Sequence, residues 1–445
     1  MTLLPFDAAT SARDGLYGRI GRRLIPFLLV CYLAALIDRL NLGFAKLQFL
    51  GDLHLDEAVY GVAAGILYVG YILFEIPSNM LLARIGIRRT LLRIMVLWGL
   101  FTMALAFAGD RYAFYALRFL LGAAEAGFFP GIVLYLTFWF PERIRGQVLS
   151  LFAVGVPLSG VVAGPVSGLV MSHMAGLGGF KGWQWLFLLE GLPAIALGIA
   201  AYFYLPDGSA MAGFLSGPER GRVAADLAGE QPGDRRHDEV APGTPSQVWR
   251  QPRMLGLAFV YFAFYALQSL LLLWVPTLLK SAGLIDLMAI GWRAGIISLV
   301  GALGMVLLGY SSDRSGARRL HLVGCGIAGS ALFLMLPLTR GNPDLTALLL
   351  SGAAATLFGF LSLFWTAASA LVDRDRAPVG IAFISSVGAA GAALSPTFIG
   401  SVKEWSGSFT DAVDALAVLM LIAMAVLWRC LPARPDARKT PAESS

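Results

Sequence analysis

Asp313-Arg314-Ser315-Gly316-Ala317-Arg318-Arg319 and Ala83-Arg84-Ile85-Gly86-Ile87-Arg88-Arg89 are two copies of one short basic loop, and their places in the chain decide the fold. Each lies between apolar runs of roughly 20 residues, the length a helix needs to cross a bilayer. A second pair repeats the relation: Glu142-Arg143-Ile144-Arg145-Gly146 early in the chain, and Asp373-Arg374-Asp375-Arg376-Ala377-Pro378-Val379-Gly380 late in it. Two loops recurring in the same order, with the same kind of neighbours, mark a duplicated unit.

Counting outward from these loops, apolar stretches of spanning length fall near 24–46, 58–82, 90–108, 112–138, 147–171 and 183–205. Six more lie near 254–279, 289–311, 320–338, 344–372, 378–402 and 410–431. Lipid offers backbone N–H and C=O groups no partners, so each span must be a helix; barrel strands would be about half as long. Composition agrees. Of 445 residues 57% are apolar and 14% charged, against about 25% charged in a soluble domain, and a soluble protein of this size would still need a polar surface. Cys31, Cys325 and Cys430 sit in or beside apolar segments and read as small buried hydrophobes, without disulfide or metal spacing. The apolar run after Arg13, Arg19, Arg22 and Arg23 is too long for a cleaved signal-peptide core. The one long polar stretch, 206–252, is rich in Gly, Pro and mixed charge and reads as a linker. The expected architecture is an all-α membrane protein with twelve transmembrane helices in two six-helix pseudo-repeats around a central cavity. Residues 1–205 form the first half, 206–252 the linker and 253–445 the second half. Secondary transporters with parallel repeats follow this plan and bind substrate between the halves near the midplane.

Assigning loops alternately to two faces puts 25 of the 34 Lys and Arg residues on the face with both termini and seven on the other. Arg39 and Arg118 remain inside spans. The positive-inside bias places both termini in the cytoplasm, and it explains the net charge of +6 without nucleic acid.

Residues 309–319, GYSSDRSGARR, resemble in full the loop motif of the major facilitator superfamily, and in the first copy Ala83 stands where the motif has Asp. That resemblance implies a conformational latch of Asp–Arg pairs and helix-end dipoles, comprising Arg84, Gly86 and Arg88 in one half and Gly309, Asp313, Arg314, Gly316 and Arg318 in the other. More specifically, the chain is similar to the anion:cation symporter family of tartrate, sugar-acid, phthalate and hydroxyphenylacetate carriers. The matching stretches are Ile37-Asp38-Arg39-Leu40-Asn41, Phe74-Glu75-Ile76-Pro77-Ser78-Asn79, the run 118–131 (RFLLGAAEAGFFPG), Leu189-Glu190-Gly191-Leu192-Pro193, Phe138-Trp139-Phe140-Pro141 and Trp274-Val275-Pro276. The eleventh span departs from the family: Val387-Gly388-Ala389-Ala390-Gly391 lacks the Asn that similar carriers often place before a Gly-Gly pair.

A charge at mid-membrane costs on the order of 3 kcal/mol and is by default a functional signal. Six fall inside spans: Asp38, Arg39, Glu75, Arg118, Glu125 and Glu190. Arg118 and Glu125 are seven apart and share a helix face; Asp38 and Arg39 are adjacent, about 100° apart around theirs. The plainer reading makes Arg118–Glu125 and Asp38–Arg39 static ion pairs. The functional reading is proton-gated anion binding: ionised acids neutralise the arginines, and protonation frees guanidinium forks that fit a carboxylate. The family resemblance implies Arg39 and Arg118 as carboxylate ligands, Asp38 and Glu125 as proton sites, and Tyr71 as a hydroxyl donor. Glu75 and Glu190 read as structural.

The second half has no charge at mid-membrane. Its candidate ligands are Gln268, Ser269, Ser298, Trp365, Thr366, Ser369, Ser385 and Ser386, each weak alone because Ser and Thr in membrane helices often bond their own backbone. The missing Asn and the rings Phe358, Phe360, Phe364 and Trp365 lean towards a less hydroxylated, aromatic carboxylate. Gly155, Pro157, Gly160, Gly164, Pro165 and Gly168 in the fifth span partly resemble an antiporter motif but read better as close packing. The histidines His54, His173, His237 and His321 are scattered at loops or helix ends, and no nucleotide, metal or nucleophile pattern accompanies them, which argues against an enzyme. The expectation is proton-coupled uptake of a small organic anion by alternating access, in a multi-pass protein of a bacterial inner membrane. It needs no cofactor beyond protons as coupling ion and works as a monomer. The rival is a drug or metabolite:proton antiporter.

Overall fold

The computed structural model describes residues 12–228, 251–339, 341–369, 371 and 377–431; the linker residues 229–250 and the basic residues Arg374 and Arg376 lie outside them. Among the described residues all regular elements are helical. They are α1 (Ala12–Asp52), α2 (Glu57–Leu105), α3 (Arg111–Glu125), α4 (Phe128–Thr137), α5 (Glu142–His173), α6 (Gly182–Tyr204) and α7 (Gly217–Ala228). The second half has α8 (Pro252–Ser269), α9 (Val275–Ser281), α10 (Leu287–Ser315), α11 (Arg318–Leu334), α12 (Pro343–Ser369), α13 (Ala377–Ser406) and α14 (Phe409–Cys430). α2 folds back at Gly86 and makes two crossings. α3 and α4 together make one, as do α8 and α9 joined by the π-turn Leu270–Trp274. With α7 outside the set, the described helices make twelve crossings, six in each half. Ten of the helical stretches are long and apolar enough to span a bilayer by length and composition. An even number of crossings leaves both termini on one face, called here the terminal face.

The two basic loops have the same backbone device. Gly86 (φ 79°) and Gly316 (φ 67°) both adopt the left-handed conformation that glycine takes without strain, and each ends one crossing and begins the next. The halves differ in where the acid comes from. Asp313 pairs with Arg318 in its own loop at 3.3 Å. The first half, lacking an acid at Ala83, uses Asp207 from the end of α6: its Oδ1 accepts the backbone N–H of Arg88 at 3.1 Å, and a Cβ on Gly86 would lie 2.6 Å from that oxygen. Arg88 also donates from Nε to the Tyr202 carbonyl at 2.6 Å. Asp207 therefore caps the helix that starts after Gly86. Asp207→Ala should cost about 1 kcal/mol, the size of a lost N-cap. That corresponds to a fall of about 2–4 °C in the thermal midpoint of a unit of this half's size. Adding Ala83→Asp should restore it, and an unchanged midpoint in Asp207→Ala would refute the cap.

The start of the linker is folded: residues 206–228 pack against the terminal end of α1. α1 has 41 residues, about 60 Å at 1.5 Å per residue, so one end projects well beyond a hydrocarbon layer of about 30 Å. Tyr17, Ile20 and Leu24 on that end are fully buried, together with Val223 of α7. Tyr17 donates to Asp226 at 2.9 Å, Arg19 pairs with Glu219, Phe214 stacks on Trp139 at 5.9 Å, and Arg23 lies 4.5 Å over Phe214. Apolar positions hidden among the Gly, Pro and charges of the linker supply this small cluster.

The halves meet at the far face. A Cβ on Gly43 of α1 would stand 2.6 Å from the Leu273 carbonyl, and one on Gly168 of α5 would stand 2.7 Å from that of Leu287. Gly164 of α5 abuts Gly291 and Gly295 of α10 in the same way. Thr397 donates to the Gly61 carbonyl (3.2 Å) and Lys280 to that of Leu47 (3.1 Å). Small residues let the backbones touch, which is the packing role expected of the α5 glycines. Ser298 faces Gly160 across this seam, so it is an interface residue rather than a cavity ligand. On the terminal face Asp313 is 70% exposed and Arg84 is exposed. The Gly43, Gly168, Thr397 and Lys280 contacts between the halves lie towards the far face.

Candidate functional site

The four central charges lie on α1 and α3, which Arg39 and Glu125 link, and α3 packs closely along α2. A Cβ on Gly70 of α2 would meet the Ala123 nitrogen of α3 at 3.0 Å, and Gly122 of α3 abuts Leu67 of α2 equally closely. This approach turns one face of α3 inward: Phe114, Arg118, Leu121, Gly122, Ala124 and Glu125 are its buried residues, and the seven-residue spacing puts Arg118 and Glu125 on the same side. α3 ends at Glu125, because Ala126 leaves helical geometry and Gly127 takes φ 83°. Ser78 of α2 fills the space beside Gly127.

The pairing is crossed relative to either sequence-based ion-pair reading. Arg39 donates from Nε (2.9 Å) and an Nη (2.7 Å) to the same oxygen of Glu125, Oε2, while Oε1 has no hydrogen-bond partner. The Arg39 side chain is 33% exposed and Glu125 only 2%, so the arginine is partly open and the acid is enclosed. Arg39 also lies 5.3 Å from the Tyr71 ring, as cation over π-face. Tyr32, Tyr68 and Tyr265 are within electrostatic reach of it, the last from the opposite half.

Arg118 is 3% exposed, with its Nε directed to the Ala63 carbonyl of α2 at 3.2 Å. Its nearest charges are Asp38 and Glu125. Asp38 is also buried; Oδ1 accepts from Thr102 at 2.8 Å, and Oδ2, beside the Trp98 indole, has no partner of good geometry. Arg39 is thus partly exposed, whereas Arg118 is an interior charge in the field of both Asp38 and Glu125. Glu190 of α6 joins the same field. Both its oxygens are buried without a hydrogen-bond partner, and Asp38 is within its electrostatic reach. Its place about two turns into α6 made it look structural in the sequence; the contact of Gly99 with Gly191, which brings α6 against α2, could not be read there.

In the second half Gln268 is 2% exposed with Oε1 unpartnered, one residue before Ser269 and the π-turn. π-turns inside helices often mark functional positions. The Trp365 indole donates to the Tyr261 hydroxyl at 2.9 Å and so is engaged within an aromatic wall of Tyr261, Phe264, Phe360 and Phe364. Tyr261 and Tyr265 were not singled out in the sequence; their spacing of four along an apolar helix resembles ordinary core. Ser269 is taken up by Ala266 and Ser395, and Thr366 by the Ser362 carbonyl. Ser385 is half-buried and Ser386 exposed. The side chain of Ser369 lies outside the described part of the structure. Among the described residues no cluster of His, Cys, Asp and Glu has metal-binding geometry.

Comparison with known proteins agrees with this architecture. The family model of the Major Facilitator Superfamily matches residues 28–396 and 285–445. A metabolite transport protein of Pseudomonas putida, NicT, is 39% identical over 92% of both chains. A protein of Agrobacterium vitis named as a tartrate transporter is 38% identical over 91% of this chain and 89% of its own. A quinolone resistance transporter of Acinetobacter baumannii is 36% identical over 94% and 95%. Among solved structures, an inward-facing, unoccupied bacterial homologue of the lysosomal transporter Spinster superposes with a TM-score of 0.70 at 18% identity, covering 95% of this chain and 98% of that one. A D-xylose–proton symporter gives 0.68 at 15%, covering 92% and 98%. At such identities the likeness establishes the fold.

Proposed function

This chain belongs to the major facilitator superfamily, and we propose that it carries a small organic carboxylate across the inner membrane together with protons, by alternating access. It is a multi-pass membrane transporter, not an enzyme. The observation that carries the finer reading is the Arg39–Glu125 pair: an accessible guanidinium held by one oxygen of a buried acid. A carboxylate arriving from the cavity competes for the same N–H groups. While Glu125 is ionised it keeps them. When Glu125 takes up a proton, the fork is released and the anion replaces it, so cargo and proton bind together. Asp38, within electrostatic reach of Arg118 and Glu190, is the second proton site, screened from cargo.

The cavity walls favour a planar body on that carboxylate. Arg39 lies over the Tyr71 ring, Tyr32, Tyr68 and Tyr265 are within its electrostatic reach, and the second-half donors Trp365, Ser269 and Thr366 are already bonded. A polyhydroxylated chain would find few free partners there. The names of the relatives are consistent with an anion site, since tartrate and quinolones have little in common beyond a carboxylate. The quinolone resistance relative also supports a second reading, proton-driven export of an aromatic acid through the same site.

Uptake by purified protein in liposomes, over tartrate, hexonates, phthalate and hydroxyphenylacetate, tests the reading. An inward proton gradient should drive accumulation of an aromatic carboxylate in preference to a hexonate. Accumulation that ignores the gradient, or transport of a cation instead, overturns it; gradient-driven efflux selects the second reading.

A further inference from the structure

Far from the central charges, at the far face, a lysine has no part in the scheme above. Lys46, near the end of α1, is 2% exposed. Its ammonium lies 3.6 Å from the centre of the Trp274 ring, 4.2 Å from Tyr60 and 5.6 Å from Phe409, and it pairs with Glu57 at 2.8 Å. Tyr60 and Glu57 belong to the first half, as Lys46 does. Trp274 and Phe409 belong to the second. Tyr60 stands edge-on to Trp274 (5.1 Å, 89°) and donates across the seam to the Leu273 carbonyl at 2.9 Å.

We propose that Lys46 is the latch of the far-face gate, clasped by Trp274 and Phe409 of the opposite half only while that gate is shut. A buried ammonium is costly unless its charge is met. Glu57 meets part of it, but that pair lies within one half and survives any movement between halves. The faces of Trp274 and Phe409 are different, because separating the halves removes them. Their attraction for the ammonium therefore enters the balance between closed and open states, whereas the ion pair does not. A lysine also makes the closure reversible. Once the seam parts, water replaces the rings around the charge, while an apolar plug would leave exposed apolar surface. Lys280 and Lys403 stand nearby and repel Lys46, which keeps the closed state from becoming too stable.

The test uses distances between spin labels at Leu177 and Ile285, exposed far-face positions in the first and second halves. It is done in the full-length protein with the buried Cys31, Cys325 and Cys430 replaced by alanine. Trp274→Leu keeps an apolar side chain but removes the π-face. It should move the population towards the longer, far-face-open distance by about thirtyfold, the size of one desolvated cation–π contact. Trp274→Phe should stay within about threefold of the parent. Phe409→Leu, a smaller change at a more distant ring, should shift the population in the same direction but less. If Trp274→Leu leaves the distances unchanged, or Leu and Phe behave alike, the seam is an apolar plug and the latch is refuted. The measurement needs alternating access but no substrate, so its failure is separate from any failure of proton-coupled anion transport.

Discussion

Replacing Glu125 with Gln should abolish accumulation of the anion against its gradient while leaving exchange of anion for anion close to the parent rate. Glutamine has the shape of a protonated glutamate and cannot take up or release a proton. The variant is thus fixed in the state that frees Arg39, and cargo still binds and crosses. What is lost is the link to the proton gradient. One proton moving down one pH unit supplies 1.36 kcal/mol, or about tenfold accumulation per coupled proton. The parent should therefore concentrate substrate at least about tenfold under such a gradient, and Glu125→Gln should only equilibrate it, with counterflow within about threefold of the parent. The variant should fold, because Arg39, unlike Glu125, is one-third exposed and can be hydrated when its partner loses charge. Accumulation by Glu125→Gln at the parental ratio would remove Glu125 from proton coupling.

The division between what could be read beforehand and what could not follows a physical line. Length, apolar runs and the repeated loops depend on local chemistry, so twelve crossings in two halves were legible from residues 83–89 and 313–319 outward. That Arg118 and Glu125 face the same way was legible for the same reason, since helical periodicity is local. Which charge meets which was not. The sequence offered Arg118 with Glu125 and Asp38 with Arg39, neighbours along the chain. The folded protein pairs Arg39 with Glu125 and gives Asp38 a hydrogen bond from Thr102, contacts made between helices once Gly70 and Gly122 let α2 and α3 touch. Asp207 was hidden for a like reason: it stands 124 positions from Ala83, whose missing acid it supplies. Lys46 looked like an ordinary basic residue at a helix end until Trp274 and Phe409, both distant in sequence, closed around it.

The crossed pairing also yields the sharpest test of which arginine holds the cargo. Arg39→Ala would leave Glu125, 2% exposed, without its counter-charge. Breaking one side of a buried pair costs about 3–5 kcal/mol, so the variant should melt markedly earlier and carry nothing. Stability alone cannot identify a ligand, and the double variant Arg39→Ala with Glu125→Gln separates the two roles. With both charges gone, most of the lost stability should return, a coupling that a double-mutant cycle measures directly. Transport should not return, because no accessible guanidinium is left for the carboxylate: Arg118, 3% exposed and bonded to the Ala63 carbonyl, cannot replace it from within the helix packing. Arg39→Lys keeps the charge but loses the fork that offers two N–H groups to one carboxylate. It should fold normally and weaken apparent affinity by at least about tenfold, the factor that 1.4 kcal/mol represents. If the double variant regains both stability and uptake, Arg39 serves only to neutralise Glu125, and the carboxylate must be held elsewhere.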